Sequence, residues 1–253
     1  ALFHTHCRHR VATPKIVPYA VSGPRNSGFS LRWTACGMPS SDVQRGMFSE
    51  TMSLAAGAVR IAWRDYRRGQ SAESLVRPWL ADTLGRPGSD LVLDRDARGR
   101  PQLQVPGHPG LDANWSHSGD ALLVALGDGV AVGVDIEWMR PRPQAMALAQ
   151  RFFTAGEATA LATRAPDDAE AAFVQLWCAK EAVLKAHGHG LSFGLDRLEF
   201  AARDDGWALV ACDPALGTPA DWHLHAFAPL PGYLATVAWR RVDRAGVRVA
   251  DSQ

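Results

Sequence analysis

Residues 122–137 read LLVALGDGVAVGVDIE, and this stretch decides the fold class. Two apolar runs, 122–126 and 130–136, flank Gly127-Asp128-Gly129. Apolar runs of this length around a short glycine-containing turn predict two strands joined as a β-hairpin. The hairpin indicates a sheet in the middle of the chain, to which the flanking elements add.

The second predicted strand ends in a pair of carboxylates, Asp135 and Glu137. Residues i and i+2 of a strand point to the same face, so the two side chains project together. Adjacent carboxylates repel each other unless a cation lies between them, and Mg²⁺ takes a few carboxylates together with water and phosphate oxygens. A solvated strand end with two exposed acids is the alternative, and the pattern alone leaves both open.

Around the hairpin, hydrophobic periodicity predicts helices and further strands. Thr154 followed by Glu157 matches a capping box, which predicts a helix start at this point. Residues 94–101 are polar with Gly and Pro and predict a loop. The predicted helices are 71–84, 145–153, one beginning at Thr154, and 168–187; the predicted strands are 59–63, 195–201, 206–212, 222–228 and 233–240.

Each half of the chain thus runs from helices to strands, which predicts an α+β fold of two similar lobes, each a small antiparallel sheet packed on helices. Arg140-Pro141-Arg142-Pro143 marks the boundary, so the lobes are expected at 47–140 and 141–253. Residues 1–46 hold six basic residues and one acidic residue, and we expect a disordered or non-native leader there.

The composition excludes several classes of protein. The 253 residues carry 27 Lys plus Arg against 26 Asp plus Glu, a net charge of +1, which is untypical of a nucleic-acid-binding protein. No apolar run reaches the roughly 18 residues of a membrane helix. The four cysteines form no CxxC pair, so neither a zinc site nor a disulfide framework is indicated. We expect a cytoplasmic protein that interacts with neither nucleic acid nor membrane.

Two further segments carry side chains suited to chemistry. On the helix over 168–187, Glu181 and Lys185 lie four residues apart and share a face, with Lys180 beside them. This pair is either functional or an ordinary surface ion pair. His117 in the segment NWSHS, at a predicted loop-to-strand junction, is either a hydrogen-bond donor to a bound phosphate or a structural histidine. A Ser-His pair without an orienting acid does not indicate a serine hydrolase.

The order and spacing of these segments resemble the 4′-phosphopantetheinyl transferase superfamily. The resemblance spans about residues 58–240, and the two-lobed length resembles the Sfp type, a monomeric pseudo-dimer with its active site between the lobes. The matching segments are GRP at 99–101, NWSHS at 114–118, GVDIE at 133–137, FFTAGE at 152–157, WCAKEAVLK at 177–185 and GHGLS at 188–192.

The resemblance implies transfer of the 4′-phosphopantetheine arm of coenzyme A to a serine of an apo acyl or peptidyl carrier protein, with release of adenosine 3′,5′-bisphosphate. It implies Mg²⁺, for which Mn²⁺ can substitute, held by Asp135, Glu137 and Glu181. Glu181 is then the candidate base, and Lys185 neutralises the departing phosphate. The residues expected to bind coenzyme A are Arg68 (with Arg67 as its competitor), Arg100, Ser116, His117, Lys180 and Lys185.

Glu157 is expected to support either the metal site or a lysine. The chain departs from the family pattern in two places: Arg100 stands where the family has lysine in its Gly-Lys-Pro loop, and the first-lobe helix is shortened between Trp63 and Ser71. A catalytically degenerate module that binds coenzyme A or a carrier protein is the main alternative. A two-metal phosphodiesterase is the other, and it leaves the NWSHS and GHGLS segments without a role.

Overall fold

The structure, a computed structural model, describes residues 47–203 and 206–242. The predicted leader, residues 1–46, lies outside the described residues. The helices are α1 Ala72–Leu84, α2 Ala145–Phe152, α3 Ala155–Ala162 and α4 Pro166–His187. The strands are β1 Met52–Leu54, β2 Val59–Asp65, β3 Val92–Arg95, β4 Pro101–Gln104, β5 Leu111–Ser118, β6 Ala121–Asp128, β7 Val130–Trp138, β8 Leu198–Arg203, β9 Gly206–Cys212, β10 His223–Phe227 and β11 Tyr233–Arg241.

The predicted α+β class is confirmed. One antiparallel sheet has the order β1-β2-β6-β5 and a second has the order β10-β11-β7, while β3-β4 and β8-β9 form separate hairpins. Within these ranges, none of the helices combines the length and apolar composition needed to cross a membrane. The division into two lobes at residue 140 stays a prediction; β7, which precedes that boundary, pairs with β11, which follows it.

The predicted hairpin over 122–137 is wrong in its pairing, although both strands exist. β6 pairs with β2 and β5, whereas β7 pairs with β11 in the other sheet. Gly129, at a φ of 69°, turns the chain between the sheets, and its N–H donates to Gly110 O rather than across a hairpin. Two consecutive apolar strands with a glycine turn therefore form a corner between layers.

Side chains alternate between the two faces of each strand, and this builds four layers in the order α1, first sheet, second sheet and α4. On the two central strands of the first sheet, Ala62 and Val124 face α1, while Ile61 and Ala125 face the second sheet. On β7, the alternate residues Val132, Val134 and Ile136 complete this inter-sheet core, so that Gly133, Asp135 and Glu137 face α4. The carboxylate pair thus lies between the second sheet and the longest helix.

Candidate active site

Alternate polar side chains of β5 join the two sheets. The side chains of Asp112, Asn114 and Ser118 accept hydrogen bonds from the backbone N–H groups of β7, at Val132 (2.8 Å), Val134 (3.0 Å) and Trp138 (3.1 Å) respectively. An exposed strand edge would otherwise leave these donors unpaired. We call this row of β5 side chains, Asp112, Asn114, Ser116 and Ser118, the polar seam.

Helix α4 lies directly on β7. A Cβ added at Gly133 would overlap Ala182 O and Ala186 N of the helix, so only glycine permits this close approach. Glu181 and Lys185 flank these contacts along the helix and are brought over the polar face of β7. The GVDIE and WCAKEAVLK segments, which residues 138–176 separate in the chain, therefore meet in one place.

Asp135 is at the centre of this contact and is only 4% exposed. Its Oδ1 accepts from Lys185 Nζ at 2.6 Å and from Ser116 Oγ at 2.9 Å, and Lys185 Nζ also donates to Ser116 Oγ at 3.0 Å. Its Oδ2 is buried and has no N–H or O–H donor within hydrogen-bond distance among the described residues, while the Cys178 thiol lies close enough to Asp135 for burial and this carboxylate together to raise the pKa of the thiol. Thr236 of β11 lies opposite Asp135 in the strand register. Its hydroxyl is likewise buried, with no hydrogen-bond partner in the described ranges.

Glu137 lies nearer the surface and is held from two sides. Its Oε2 accepts from Ser118 Oγ at 3.0 Å and from Arg142 Nη2 at 2.6 Å. Arg142 follows β7 in the Arg-Pro-Arg-Pro segment. A cationic side chain therefore neutralises each of the two strand carboxylates, Lys185 at Asp135 and Arg142 at Glu137.

Glu181 is the third carboxylate of the cluster. Burial, together with the negative charges of Asp135 and Glu137, raises the pKa of Glu181 to about 7, although Lys185 and a hydrogen bond from the Trp177 side chain act in the opposite direction. Burial alone would lower the pKa of Lys185, but the charges of Asp135 and Glu181 outweigh it and raise that pKa. A carboxyl group that titrates near neutrality, beside a firmly charged ammonium, is suited to moving a proton.

The carboxylates offer a metal partial coordination. Over residues 47–203 and 206–242, no three His, Cys, Asp or Glu side chains stand close enough together to form a metal site. Mg²⁺ commonly takes only one or two protein carboxylates and fills its remaining positions with water and phosphate oxygens. Asp135 Oδ2, buried and unpartnered among the described residues, beside Glu137 on the same strand face, fits that requirement.

Lys180 lies in the apolar core beneath the helix, away from the polar seam. Its fully buried ammonium pairs with Glu157 Oε2 at 2.8 Å and donates to the carbonyls of Leu195 and Leu198. Glu157 also accepts from the N–H groups of Thr154 (2.9 Å) and Phe200 (2.8 Å), and the predicted capping box is confirmed. Of the two partners expected for Glu157, the structure brings a lysine to it.

Arg100 is buried as well, at 6% exposed. Its guanidinium donates to Asp112, to the backbone carbonyls of Pro101 and Val132, and to Lys185 O. These five hydrogen bonds use all five of its N–H groups. Arg100 of the GRP segment, for which a contact to coenzyme A was predicted, therefore has all its donors bonded to groups of the protein itself.

His117 lies on the exposed side of β5. Its ring stacks on that of Tyr66, with centroids 4.4 Å apart and planes inclined by 18°. Tyr66 begins the loop that carries Arg67 and Arg68, both exposed, and its N–H donates to Asp120 O at 2.8 Å beyond the end of β5. The stacking therefore brings the arginine-bearing loop to the same end of β5 as His117.

Sequence reasoning missed three residues here: Asp112 of the polar seam, Tyr66 and Thr236. It also treated residues 114–118 as a junction, whereas they are strand throughout. The segment LDANWSHS has polar residues at every second position, and that period of two would have predicted a strand with one polar face. Tyr66 and Thr236 gave no such signal.

Comparison with known proteins shows similarity to one enzyme family. The family model of the 4′-phosphopantetheinyl transferase superfamily matches residues 131–238, which include α4 and all of β7 except its first residue. The chain is 30% identical to the 4′-phosphopantetheinyl transferase HetI of Nostoc over 203 residues, 79% of this chain and 82% of HetI.

Two 4′-phosphopantetheinyl transferases of Bacillus are also similar. The chain is 31% identical to ffp of Bacillus subtilis over 71% of this chain and 76% of ffp, and 34% identical to psf-1 of Bacillus pumilus over 58% of this chain and 60% of psf-1. The chain belongs to the 4′-phosphopantetheinyl transferase superfamily of enzymes.

Proposed function

We propose that the chain transfers the 4′-phosphopantetheine arm of coenzyme A to a serine of an apo acyl or peptidyl carrier protein. The observation that carries this proposal is the cluster of Asp135, Glu181 and Lys185: a carboxyl group with a pKa of about 7, a paired ammonium and an unpartnered carboxylate oxygen. The serine oxygen forms a bond to the phosphorus nearer pantetheine, the pyrophosphate P–O bond breaks, and adenosine 3′,5′-bisphosphate leaves.

Glu181 is the proposed base. A serine hydroxyl attacks well only when a group takes its proton, and such a group works best with a pKa near the operating pH. In the absence of a bound metal ion the pKa of Glu181 is raised to about 7, which meets this condition, whereas a fully solvated glutamate is a weaker base. A metal ion held by Glu181 itself would lower that pKa, so the proposed base is a Glu181 carboxylate that the ion does not bind directly. Glu181 on α4 lies close enough to Asp135 for that charge to raise its pKa, which supports a role beside the carboxylate cluster.

Lys185 is the proposed counter-charge for the leaving group. Its pKa is raised by Asp135 and Glu181, so the ammonium stays charged throughout the physiological range. Its side chain keeps 26% exposure, which leaves it accessible to a phosphate at the surface of the cluster. The hydroxyl of Ser116 fixes the ammonium from the sheet side.

Asp135 and Glu137 from β7 are the side chains that would hold Mg²⁺ or, in its place, Mn²⁺. Glu181 from α4, the third ligand expected from the resemblance, would have to move closer to bind the ion directly, since no three carboxylates of the described residues stand within reach of one ion. The ion supplies charge neutralisation at the pyrophosphate oxygens when bound. The unpartnered Oδ2 of Asp135 and the mutual repulsion of the carboxylates support this assignment. Ser116 and Ser118 orient the two strand carboxylates from the polar seam.

Coenzyme A would meet the protein at the His117 end of β5. His117 and Arg68, with Arg67 as the alternative, are the proposed contacts to the 3′-phosphate, because a guanidinium binds phosphate bidentately. The Ser116 hydroxyl, expected near the adenine, is buried and engaged by Asp135 and Lys185, so for Ser116 we propose a supporting role in the carboxylate cluster. For Lys180 and Arg100 we propose supporting roles, since their donors are engaged within the protein.

We further propose that the chain is a cytoplasmic monomer of the Sfp type, with its active site between two lobes. The test is intact-mass spectrometry of an apo carrier protein after incubation with the chain, coenzyme A and Mg²⁺. We expect a mass gain of one phosphopantetheine arm, lost when Mg²⁺ is chelated. One fatty-acid carrier and one peptide-synthetase carrier should be assayed in parallel.

Glu181→Gln is the matched control, because it keeps the shape of the side chain and removes its basicity. Coenzyme A binding without any mass gain on either carrier would overturn the proposal in favour of a degenerate binding module. Hydrolysis of coenzyme A in the absence of a carrier would overturn it in favour of a phosphodiesterase.

A further inference from the structure

Arg100 makes contacts that a ligand-binding residue does not need. It begins the β4 side of the β3–β4 hairpin, yet its partners come from three other elements. Nη1 and Nη2 form a bidentate pair with the Asp112 carboxylate of β5, Nη2 reaches Val132 O of β7 at 3.1 Å, and Nε reaches Lys185 O of α4 at 2.7 Å. One guanidinium thus connects both sheets and the helix.

The contact with α4 has a specific consequence. Lys185 lies in the last turn of the helix, where carbonyls lack partners within the helix and a cation is favoured by the helix dipole. The backbone N–H of Gly188 satisfies Leu184 O, and Arg100 satisfies Lys185 O. Arg100 therefore fixes the backbone of the residue whose own ammonium donates to Asp135 and Ser116.

The sheet side is equally well anchored. Asp112 Oδ2 accepts from Arg100 Nη2 and from the N–H of Val132. Val132 offers both its N–H and its carbonyl to this arrangement and lies three residues before Asp135. Both ends of the Asp135–Lys185 ion pair, strand and helix, are tied to the same guanidinium.

We propose that Arg100 is a positioning residue that clamps the end of α4 to the polar seam and so holds the Lys185 ammonium at Asp135. It acts through Lys185 and not by touching coenzyme A. The geometry requires arginine, because a lysine ammonium has three donors at one point and cannot reach the same five acceptors. The kinetic consequence rests on the proposed function, whereas the mechanical consequence does not.

The mechanical test uses amine labelling of the intact protein. Lys180 and Lys185 are the lysines of α4, and only Lys185 lies at the clamp. We compare acetylation rates at each site by peptide mass spectrometry in the natural protein and in Arg100→Lys. Lys185 is expected to label faster in the variant while Lys180, fully buried, stays protected. The labelled Lys180 fraction also reports whether the variant is folded.

Unchanged labelling of Lys185 in a folded variant would overturn the proposal. If Arg100→Lys unfolds, Asp112→Asn replaces it, since this change weakens the bidentate pair and leaves Arg100 in place; the same labelling result is expected to a smaller degree. Arg95→Lys is the matched control. Arg95 lies on the same hairpin, is exposed and donates to Gly99 O, so its replacement should leave both labelling rates unchanged.

The kinetic test separates positioning from ligand contact. Arg100→Lys is expected to lower kcat about 10- to 100-fold, because displacing a catalytic group by about 1 Å can cost as much as 100-fold. Kd for adenosine 3′,5′-bisphosphate should rise no further than in Lys185→Ala, because Lys185 is itself the proposed contact to the departing phosphate. In a Lys185→Ala background, the same change should cost little more. A rise in KM and Kd with kcat unchanged would overturn positioning. Absence of transfer by the natural protein would instead overturn the proposed function and leave the labelling result to decide this one.

Discussion

Lys180 and Lys185 lie on the same helix, and each pairs with one carboxylate at under 3 Å, yet their surroundings are opposite. Five residues along a helix correspond to a rotation of about 140°, so the two side chains leave on different faces. Lys180 enters the core between Phe153 and Phe200. Lys185 reaches the polar seam and stays partly exposed.

The pKa values of the two ammonium groups are shifted in opposite directions. Burial lowers the pKa of Lys180 even though Glu157 acts against it, whereas Asp135 and Glu181 overcome burial and raise the pKa of Lys185. At Lys180 all three donors have acceptors, and both oxygens of Glu157 are also engaged. At Lys185 the partner carboxylate retains an unpartnered oxygen among the described residues. The fully satisfied pair is structural, and the incompletely satisfied pair has capacity left for a ligand.

The largest effect that we expect from changing one of the two sites is on the rate of transfer. Glu181→Gln should lower kcat for transfer by about 10²–10⁴-fold, the range that a general base contributes, and should leave the protein folded. Rates are measured by intact mass, with circular dichroism as the check on folding. Activity within about tenfold of the natural protein would exclude Glu181 as the base.

The next effect is on stability and concerns Lys180. Lys180→Met leaves the Glu157 carboxylate buried without its cation, which should lower the free energy of unfolding by about 3–5 kcal/mol. Lys185→Met also leaves a buried carboxylate, Asp135, without its cation, but Ser116 still donates to that carboxylate and the Lys185 side chain is 26% exposed. The loss should therefore be smaller, about 1–3 kcal/mol. Urea unfolding of both variants measures the difference. Equal losses would show that the two pairs do not differ in the way their burial indicates.

These two lysines also mark how far the sequence could predict the site. The segment WCAKEAVLK suggested ligand contacts for both, because helical spacing alone does not say which face meets the core. The Thr154–Glu157 capping box was predictable, since it depends on residues three apart. The partner that Glu157 takes across the core was not, because it depends on how α3 packs on α4.

The other features that the sequence could not predict depend on contacts between residues far apart in the chain. Strands β6 and β7 were predictable from their apolar runs, but a corner between sheets and a hairpin share the same local pattern. Arg100 and Lys185 are 85 residues apart, and no local pattern indicates that one donates to the carbonyl of the other. The carboxylates of GVDIE were found because a strand period of two places them together without any knowledge of the fold.

A moderate effect is expected in the pH dependence of stability. The pKa of Glu181 rises from an ordinary 4.5 to about 7 on folding, so between these values the folded protein holds a proton that the unfolded chain has lost. The free energy of unfolding should therefore fall as the pH rises through this window, by at most about 1.4 kcal/mol per pH unit. Urea unfolding at pH 5, 6, 7 and 8 measures the slope, which Glu181→Gln should flatten. An unchanged slope in that variant would assign it to another group.

The smallest effect concerns how the Glu157–Lys180 pair stabilises the core. Adding Glu157→Gln to Lys180→Met removes the uncompensated charge, while the amide oxygen can still accept from Phe200 N–H. The double variant should recover about 1–2 kcal/mol of the loss caused by Lys180→Met, because a neutral hydrogen-bonded amide is cheaper to bury than an unpaired carboxylate. Recovery in urea unfolding would mean that the single variant fails through charge burial, which is the property that distinguishes this pair from Asp135–Lys185. A further loss would mean that the carboxylate matters chiefly as an acceptor for two backbone N–H groups, and the contrast between the two lysines would then rest on hydrogen bonding instead of charge.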